Sequence, residues 1–266
     1  MARKVLSISS QVAFGPVGNS ACVPAMEALG VTVYPLPTVV LSHHPGHGRP
    51  AGLRIPAPDL SAMIGSLEAL GVLRDLSAVL TGYFVANDQI FGVARAIRRL
   101  KDIDPALIYL CDPVIGSEVA GLYVPLPVAE AIKSFLLPLA DIATPNRFEL
   151  EWLSGMKFEG AGAIEQARQA LGLKSLLAKS IETTNGRLQT ILSGELGTQI
   201  VESMHRKNVP HGTGDLLAGL FLGHLLEEKS GPLALRKSLA LLERIIECSA
   251  GSAALDLTLL RRRENQ

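Results

Sequence analysis

Short apolar segments alternate with helical segments along most of this chain. Residues 5–8 predict a buried strand. A glycine-containing loop follows, and then a helix that begins at Asn19 or Ser20. Residues 31–36 predict a second strand. This order is typical of a parallel sheet, because the helix carries the chain back to the start of the next strand. The sequence therefore predicts an α/β fold with a central, mostly parallel sheet.

The alternation continues to the end of the chain. Further strands are expected at residues 78–80, 106–111, 140–143 and 173–179, followed by an antiparallel pair at 188–192 and 198–202. Helices are expected at residues 59–73, 88–100, 126–136, 147–154, 162–171, 214–228 and 232–253. Residues 37–58 are rich in Pro, Gly and His and predict a flap or a short hairpin outside the core. Because no internal repeat or Ser/Gly linker divides the sequence, we expect one domain over residues 1–266.

Composition argues against several classes of partner. Of the 266 residues, 48% are hydrophobic and 19% are charged, which is ample apolar material for a buried core. Twenty-five basic and twenty-five acidic residues leave no net charge that would attract nucleic acid or an anionic membrane. The longest apolar run, residues 216–226, is too short to span a bilayer. We therefore expect neither nucleic acid nor a membrane as a partner.

The cysteines and the N-terminus favour a reducing cytosol. Cys22, Cys111 and Cys248 lie far apart and show neither metal-ligand spacing nor a paired disulfide framework. The basic start of the chain is followed by a stretch that serines interrupt, which is a poor signal peptide. We expect a cytoplasmic protein.

The segment Gly212-Thr213-Gly214-Asp215 lies directly before an apolar helical run. Glycines allow the backbone to approach a ligand closely, and the first amides of a helix attract anions. An aspartate beside such an anion site can take a proton from a hydroxyl that attacks a phosphate. The segment indicates phosphoryl transfer to a small alcohol. A tight turn with a capping residue is the alternative interpretation.

Polar side chains follow successive apolar strands, at the edge where ligands of open α/β sheets gather. They are Ser10, Tyr83, Asp112, Thr144 and Lys179. Asp112 precedes a proline and could hold Mg²⁺, or a water bound to it, against nucleotide phosphates; alternatively it begins a turn. Lys179 could neutralise charge on a phosphate or simply emerge at a strand end, and the residues alone leave the two interpretations balanced.

Other residues also have two interpretations. Asn146 and Glu149 have the spacing of a capping box, and the local sequence favours this role for Glu149 over metal binding. Ser10 could bond a substrate ring or cap its loop. Tyr83 could stack on an aromatic substrate or be an ordinary tyrosine at a strand end.

Three histidines, His43, His44 and His47, lie close together in the expected flap. No Cys or acidic residue lies between Val39 and Pro58 to complete a metal site. Imidazoles on a flap are therefore favoured over a zinc centre.

Four blocks of the sequence, taken in order, resemble the pyridoxal kinases of the ribokinase superfamily. They are Ser9-Ser10 with Gly15 and Gly18-Asn19-Ser20; Ser42-His43-His44; Cys111-Asp112-Pro113-Val114 with Thr144-Pro145-Asn146 and Glu149-Leu150-Glu151; and Gly212-Thr213-Gly214-Asp215. The resemblance covers about residues 5–226 and is weak over 155–205. It implies a ribokinase-like three-layer α/β/α fold, a small lid formed partly by residues 37–58, and a homodimer.

The resemblance also implies a reaction. ATP would phosphorylate the 5′-hydroxymethyl group of pyridoxal, pyridoxine or pyridoxamine, which gives pyridoxal 5′-phosphate or its analogues in vitamin B6 salvage. Asp215 would take the proton of the hydroxyl, and Gly212, Thr213 and Gly214 would surround the transferred phosphate.

The remaining site residues divide between the two substrates. The resemblance places Ser10 against the pyridine ring, with Asp215 at the hydroxymethyl group and Pro45 and Gly46 in the substrate-contacting part of the flap. Tyr83 is added to the vitamin site because of its position at a strand end. It assigns Asp112, Thr144, Glu149 and Lys179 to the ATP site, with Asp112 and Glu149 next to Mg²⁺. A monovalent cation such as K⁺ is common in the family.

The flap departs from the family pattern. The usual Ser-Asn-His-Thr is replaced by Ser42-His43-His44-Pro45, and proline has neither a hydroxyl nor a backbone donor. This change leaves open a sister kinase that acts on another small alcohol, such as hydroxymethylpyrimidine. A relative that binds ligand without catalysis is a third possibility, against which the retention of Asp215 and its glycines argues.

Overall fold

The computed structural model describes residues 3–158, 162–183 and 185–261. Its strands are β1 Lys4–Phe14, β2 Thr32–His43, β3 Gly52–Arg54, β4 Ala78–Thr81, β5 Ile108–Cys111, β6 Gly116–Ser117, β7 Gly121–Leu122, β8 Ile142–Ala143, β9 Ser175–Glu182, β10 Arg187–Gly194 and β11 Gln199–Met204. Its α-helices are α1 Asn19–Glu27, α2 Ala57–Ala69, α3 Asn87–Ile103, α4 Leu126–Ala131, α5 Arg147–Ser154, α6 Gly162–Ala170, α7 Thr213–Glu228, α8 Gly231–Cys248 and α9 Thr258–Arg261.

Nine of these strands form one sheet in the order β11-β10-β9-β8-β5-β4-β1-β2-β3. The strands from β2 through β1, β4, β5 and β8 to β9 are parallel to one another. Strands β3, β10 and β11 are antiparallel to their neighbours, and β6 and β7 form a separate hairpin. The predicted central, mostly parallel sheet is confirmed.

Side chains of the central strands alternate between two apolar cores, one on each face of the sheet. Leu6 and Ile8 of β1 lie in the core that includes α2 to α6, whereas Val5 packs with α1, α7 and α8. The same alternation separates Tyr109 from Leu110 in β5. Because successive side chains of a strand point to opposite faces, helices cover both sides. The three-layer α/β/α architecture is therefore confirmed.

Strands β1 and β2 are much longer than the sequence predicted, since they run to Phe14 and His43. Strand β3 pairs with β2 only at Val39, Val40 and Leu41, so the first half of β2 is an edge. Pro35 and Pro37 lie in that half and are tolerated because an edge position does not require their missing backbone donors. Thr38 and Val39 are buried, so the prediction that the flap outside the core begins at residue 37 is wrong for these two residues, whereas Val40 and Ser42 are exposed. The predicted hairpin is confirmed, and the 3₁₀ turn Pro45–His47 lies at its tip.

Most predicted helices are confirmed within a few residues, but three ends differ. Helix α2 ends at Ala69, before 73, because Gly71 adopts a left-handed φ of +74°. The helix predicted over residues 126–136 is α-helical only to Ala131 and continues as π-helical and 3₁₀ turns. Helix α8 ends at Cys248 and does not reach residue 253. Among the helices of the described ranges, none is both long enough and apolar enough to cross a membrane.

The fold brings the polar strand ends to one edge. Parallel strands share one direction, so the carboxyl ends of β1, β4, β5, β8 and β9 lie side by side. An isolated parallel bridge between Asn146 and Lys179 extends the sheet at this edge. Ser10 lies where the register between β1 and β2 shifts, between Ser9 and Gln11. This edge is where a ligand site is expected.

Candidate active site

The loop before α7 packs against the loop between β1 and α1. Gly212 has a φ of +99°, and a Cβ there would lie 2.0 Å from the carbonyl oxygen of Pro16. Only glycine therefore permits this backbone-to-backbone approach. Helix α7 begins at Thr213, and residues 213–215 are partly exposed, whereas the helix is buried from Leu216. The first amides of α7, which have no partner within the helix, thus face an open region.

Asp215 lies in the first turn of α7, with a partly exposed side chain. The backbone amide of Gly18 donates a hydrogen bond to its carboxylate. Burial, and next the charge of Asp112, raise the pKa of Asp215 to about 6, although Gly18 and Lys179 oppose the shift. A carboxyl with such a pKa is ionised at neutral pH and accepts a proton more readily than an ordinary aspartate.

A buried ion pair lies next to this turn. Lys179 Nζ donates a hydrogen bond of 2.8 Å to Asp112 Oδ1, and the two side chains are only 8% and 3% exposed. Burial alone would lower the pKa of Lys179, but the charges of Asp112, Glu149 and Asp215 raise it, so the lysine remains charged. Burial raises the pKa of Asp112, while Lys179 and the hydroxyl of Thr144 oppose that shift. Lys179 also approaches the turn itself, since a Cβ on Gly214 would lie 3.4 Å from Nζ.

The predicted capping box at the start of α5 is confirmed. The Asn146 side chain accepts a hydrogen bond from the Glu149 amide at 2.9 Å, and Glu149 Oε2 accepts one from the Asn146 amide at 2.9 Å. Glu149 Oε1 also accepts from the amides of Ile115 and Gly116, at 2.9 and 3.4 Å. Burial, and next the charge of Asp112, raise the pKa of Glu149 to about 7. Glu149 therefore ties α5 to the β6–β7 hairpin and also faces Asp112.

The same region has capacity for a cation. Three carboxyls with raised pKa values, those of Asp112, Glu149 and Asp215, surround the one ammonium of Lys179. The hydroxyl of Thr144 is buried beside the Asp112 carboxyl. Oxygen atoms of this type are the ligands that Mg²⁺ prefers. The residues therefore fit a divalent cation with nucleotide phosphates.

The residues assigned to the vitamin lie in β1, after β4 and at the tip of the β2–β3 hairpin. Ser10 is buried, and a Cβ on Gly18 would lie 2.2 Å from its Oγ, so Ser10 adjoins the residue that bonds Asp215. Tyr83 is partly buried, which raises its pKa, and its amide donates to Ser9 Oγ at 3.0 Å. The exposed residues Pro45 and Gly46 lie at the tip of the hairpin.

The hairpin tip meets the loop before α7 through a residue that sequence reasoning missed. The rings of His44 and His211 lie 4.2 Å apart, and His211 directly precedes Gly212. The sequence signal that could have identified His211 is its position between the basic segment at residues 205–210 and Gly212. Among the described residues, His43, His44 and His47 do not form a metal-ligand cluster; the group with suitable spacing is His224, Glu227 and Glu228, outside this site.

Tyr123 is a second residue that the sequence did not single out. It follows the β6–β7 hairpin and is 46% exposed. Burial of its hydroxyl, followed by the charges of Glu149, Asp215 and Asp112, raises its pKa. The phenol therefore reaches toward the acidic cluster. A lone tyrosine in a glycine-containing loop offers no pattern from which this position could be inferred.

The ion pair predicts a stability effect. Lys179→Met leaves the buried Asp112 carboxylate without its partner, and we expect a loss of about 3–5 kcal/mol in the free energy of unfolding. The double substitution with Asp112→Asn should recover part of that loss, because no buried charge remains uncompensated. Urea unfolding at pH 8 measures both. Lys157→Met, on an exposed lysine, is the control and should change stability by less than about 0.5 kcal/mol. A Lys179→Met variant as stable as its parent contradicts the role given to the pair.

Comparison with known proteins identifies the relatives of this site. The phosphomethylpyrimidine kinase family model matches residues 60–256. A pyridoxal kinase of Corynebacterium diphtheriae is 32% identical over 266 residues, which cover 98% of this chain and 94% of the relative. A pyridoxal kinase of Actinobacillus succinogenes is 35% identical over 240 residues, which cover 87% and 84% of the two chains.

Solved structures agree with this relationship. The pyridoxal kinase of Leishmania donovani in complex with ADP and pyridoxine matches with a TM-score of 0.88 and 28% identity, over 98% of this chain and 95% of that one. The family model and both relatives span well over half of the sequence. The chain therefore belongs to the pyridoxal kinase family, within the group that the phosphomethylpyrimidine kinase model describes.

Proposed function

We propose that this chain transfers the γ-phosphoryl group of ATP to the 5′-hydroxymethyl group of pyridoxal, and also of pyridoxine and pyridoxamine, for vitamin B6 salvage. The observation that carries the proposal is the position of Asp215 at the start of α7, beside the first amides of the helix and within one charged cluster with Asp112 and Lys179. The relatives named pyridoxal kinase, and the solved relative with ADP and pyridoxine, support the same two substrates.

Asp215 acts as the base in this proposal. The Gly18 amide holds its carboxylate, and the pKa of about 6 leaves it ionised at pH 7 to 8. The carboxylate takes the proton of the hydroxymethyl group as the oxygen attacks phosphorus. Ser10 and Tyr83, which lie near Gly18 and Tyr123 respectively, orient the pyridine ring. Pro45 and Gly46 cover the ring from the flap.

The transferred phosphoryl group binds at the start of α7. The amides of Gly212, Thr213 and Gly214 and the positive end of the helix dipole face the charge that develops on its oxygens. The ammonium of Lys179, close to Gly214, neutralises part of the same charge.

Asp112, Glu149 and Thr144 form the metal and nucleotide part of the site. Mg²⁺ held there would neutralise the phosphates of ATP. Backbone amides already occupy both oxygens of Glu149, so this residue contributes mainly charge or a water-mediated contact. A monovalent cation such as K⁺ is proposed on the resemblance of the sequence alone. The free cysteines Cys22, Cys111 and Cys248 support a cytoplasmic location.

Asp215→Asn tests the base. The amide keeps the shape of the side chain but cannot accept the proton, so kcat with pyridoxal should fall by at least about 10²-fold while ATP affinity changes little. The parent's kcat/KM should fall as pH decreases through about 6, because protonation of Asp215 removes the base. Absorbance of pyridoxal 5′-phosphate measures kcat and kcat/KM, and titration with a fluorescent ATP analogue measures the affinity for ATP. Near-normal turnover of Asp215→Asn would refute the assignment.

The same assay separates the alternative functions. Turnover of hydroxymethylpyrimidine with no product from any B6 vitamer would favour a pyrimidine kinase, which the matching family model makes the second candidate. Tight binding of pyridoxal or ATP without transfer to any alcohol would favour a non-catalytic relative.

We further propose that the chain forms a single domain over residues 1–266 and a homodimer. The continuous nine-stranded sheet supports the first statement. Val40 and Leu53 support the second, because they are paired across β2 and β3 and are 36% and 58% exposed at the edge of the sheet. Gln11, the neighbour of Val40 in β1, lines a cavity of about 480 Å³ with Val23 and Leu257, and so continues this partly apolar surface. A second copy of the chain is the occupant we infer.

Sedimentation equilibrium tests the dimer. The parent should sediment with twice the chain mass of 28.2 kDa, and Leu53→Glu should shift it toward that single mass. Leu70→Glu, on a leucine that is 74% exposed at the end of α2, is the control and should leave the mass unchanged. A parent that sediments as a monomer at micromolar concentration contradicts this part of the proposal.

A further inference from the structure

The flap tip is built around the ring of His44. His44 Nδ1 accepts a hydrogen bond from the Gly46 amide at 3.1 Å, so its ring proton lies on Nε2. The His47 amide donates to the His44 carbonyl and the Gly48 amide to the Pro45 carbonyl, both at 3.0 Å. The His44 amide in turn donates to the carbonyl of Phe14 at 3.2 Å. The turn therefore fixes the His44 ring relative to the end of β1.

The His44 ring meets residues 211–214, which bind the phosphoryl group in the proposed function and are called the phosphate loop below. The rings of His44 and His211 lie 4.2 Å apart at an interplanar angle of 33°, which is close to a stacked arrangement. Gly46 makes the approach possible, because a Cβ there would lie 2.5 Å from His211 Nε2 and 2.9 Å from His44 Nδ1. The ring of His47 lies 6.4 Å from the rings of both His44 and His211, and it packs at 5.2 Å from Phe14.

The charge state of His44 is compatible with a stack. Burial, and next the charges of His211 and His47, lower the pKa of His44 to about 4, so this ring is neutral at physiological pH. These two histidines are the titratable groups that act on it.

We propose that His211 is a positioning residue, whose imidazole stacks on His44 and holds the Pro45–His47 turn over the alcohol acceptor. The inference rests on the proposed function for its kinetic consequence, but not for the contact itself. His211 adjoins Gly212, so the flap is held at the residue next to the phosphate site. The stack thereby links the flap, which covers the alcohol acceptor, to the loop that binds the phosphoryl group. It also offers the flap an anchor that Pro45, without a hydroxyl, does not provide.

Kinetics of three variants test the coupling. His211→Ala removes the stack and should raise the KM for pyridoxal about three- to tenfold, because a smaller fraction of the protein has its flap closed. The KM for ATP should change less than about twofold. His211→Phe keeps a ring and should restore the parent KM for pyridoxal. If His211→Ala instead damaged the phosphate loop, the KM values for pyridoxal and for ATP would both rise, and His211→Phe would not restore them. His205→Ala, on an exposed histidine outside the site, is the control.

A double-mutant cycle and hydrogen exchange complete the test. If the two rings act through each other, His44→Ala and His211→Ala together should raise the KM for pyridoxal no more than the larger single change. Amide exchange at Gly46 and Gly48 should be at least about threefold faster in His211→Ala, whatever the alcohol substrate is. If no vitamer is phosphorylated by the parent, the proposed function fails and this exchange measurement still decides the stack. Unchanged exchange and an unchanged KM for pyridoxal in His211→Ala overturn the inference.

Discussion

The site depends on the contact between two loops whose backbones touch. Gly212 lies against the carbonyl of Pro16, and Gly18, with a φ of +55°, lies against Ser10 and donates its amide to Asp215. No side chain could be added at either glycine without moving a backbone or a residue of the site. The two glycines thus place the start of α7 and the end of β1 within one small volume. The acceptor and the phosphoryl group meet there in the mechanism proposed above.

Charge is the second constraint. The charge of Lys179 acts on three buried or partly buried carboxyls, and their pKa values rise because burial penalises each negative charge. Such an arrangement is electrostatically unfavourable in the free protein. In the proposed function, a divalent cation bound with ATP would remove this electrostatic penalty. The residues that destabilise the free protein would then contribute to nucleotide affinity.

Much of this structure could be predicted from local patterns. The alternation of apolar strands and helices predicts the parallel sheet, and Asn146 with Glu149 predicts the capping box that the hydrogen bonds confirm. The sequence placed Gly212-Thr213-Gly214-Asp215 where a loop becomes a helix, and α7 begins at Thr213, one residue after Gly212. These features depend on neighbouring residues, which a single sequence displays directly.

Features that depend on distant partners were not predictable in the same way. Strand β2 continues through Pro35 and Pro37, which pair with β1, because β3 pairs with β2 only from Val39 to Leu41. Which side of a strand is unpaired depends on the whole sheet and is not visible in the segment itself. The surroundings of Tyr123 and His211 include residues far away in sequence: the charge of Glu149 acts on Tyr123, and the ring of His44 contacts that of His211. Whether the site residues act as assigned likewise stays a prediction, because their roles concern bound ligands.

A crystal structure of the protein with ADP, Mg²⁺, aluminium fluoride and pyridoxal tests the central claim most directly. The account predicts that the planar fluoride, a mimic of the phosphoryl group in transfer, is bound by the amides of residues 212–214. It also predicts that the hydroxymethyl oxygen lies within hydrogen-bonding distance of Asp215. A fluoride bound away from the start of α7, or an Asp215 carboxylate that points away from the alcohol, would contradict it.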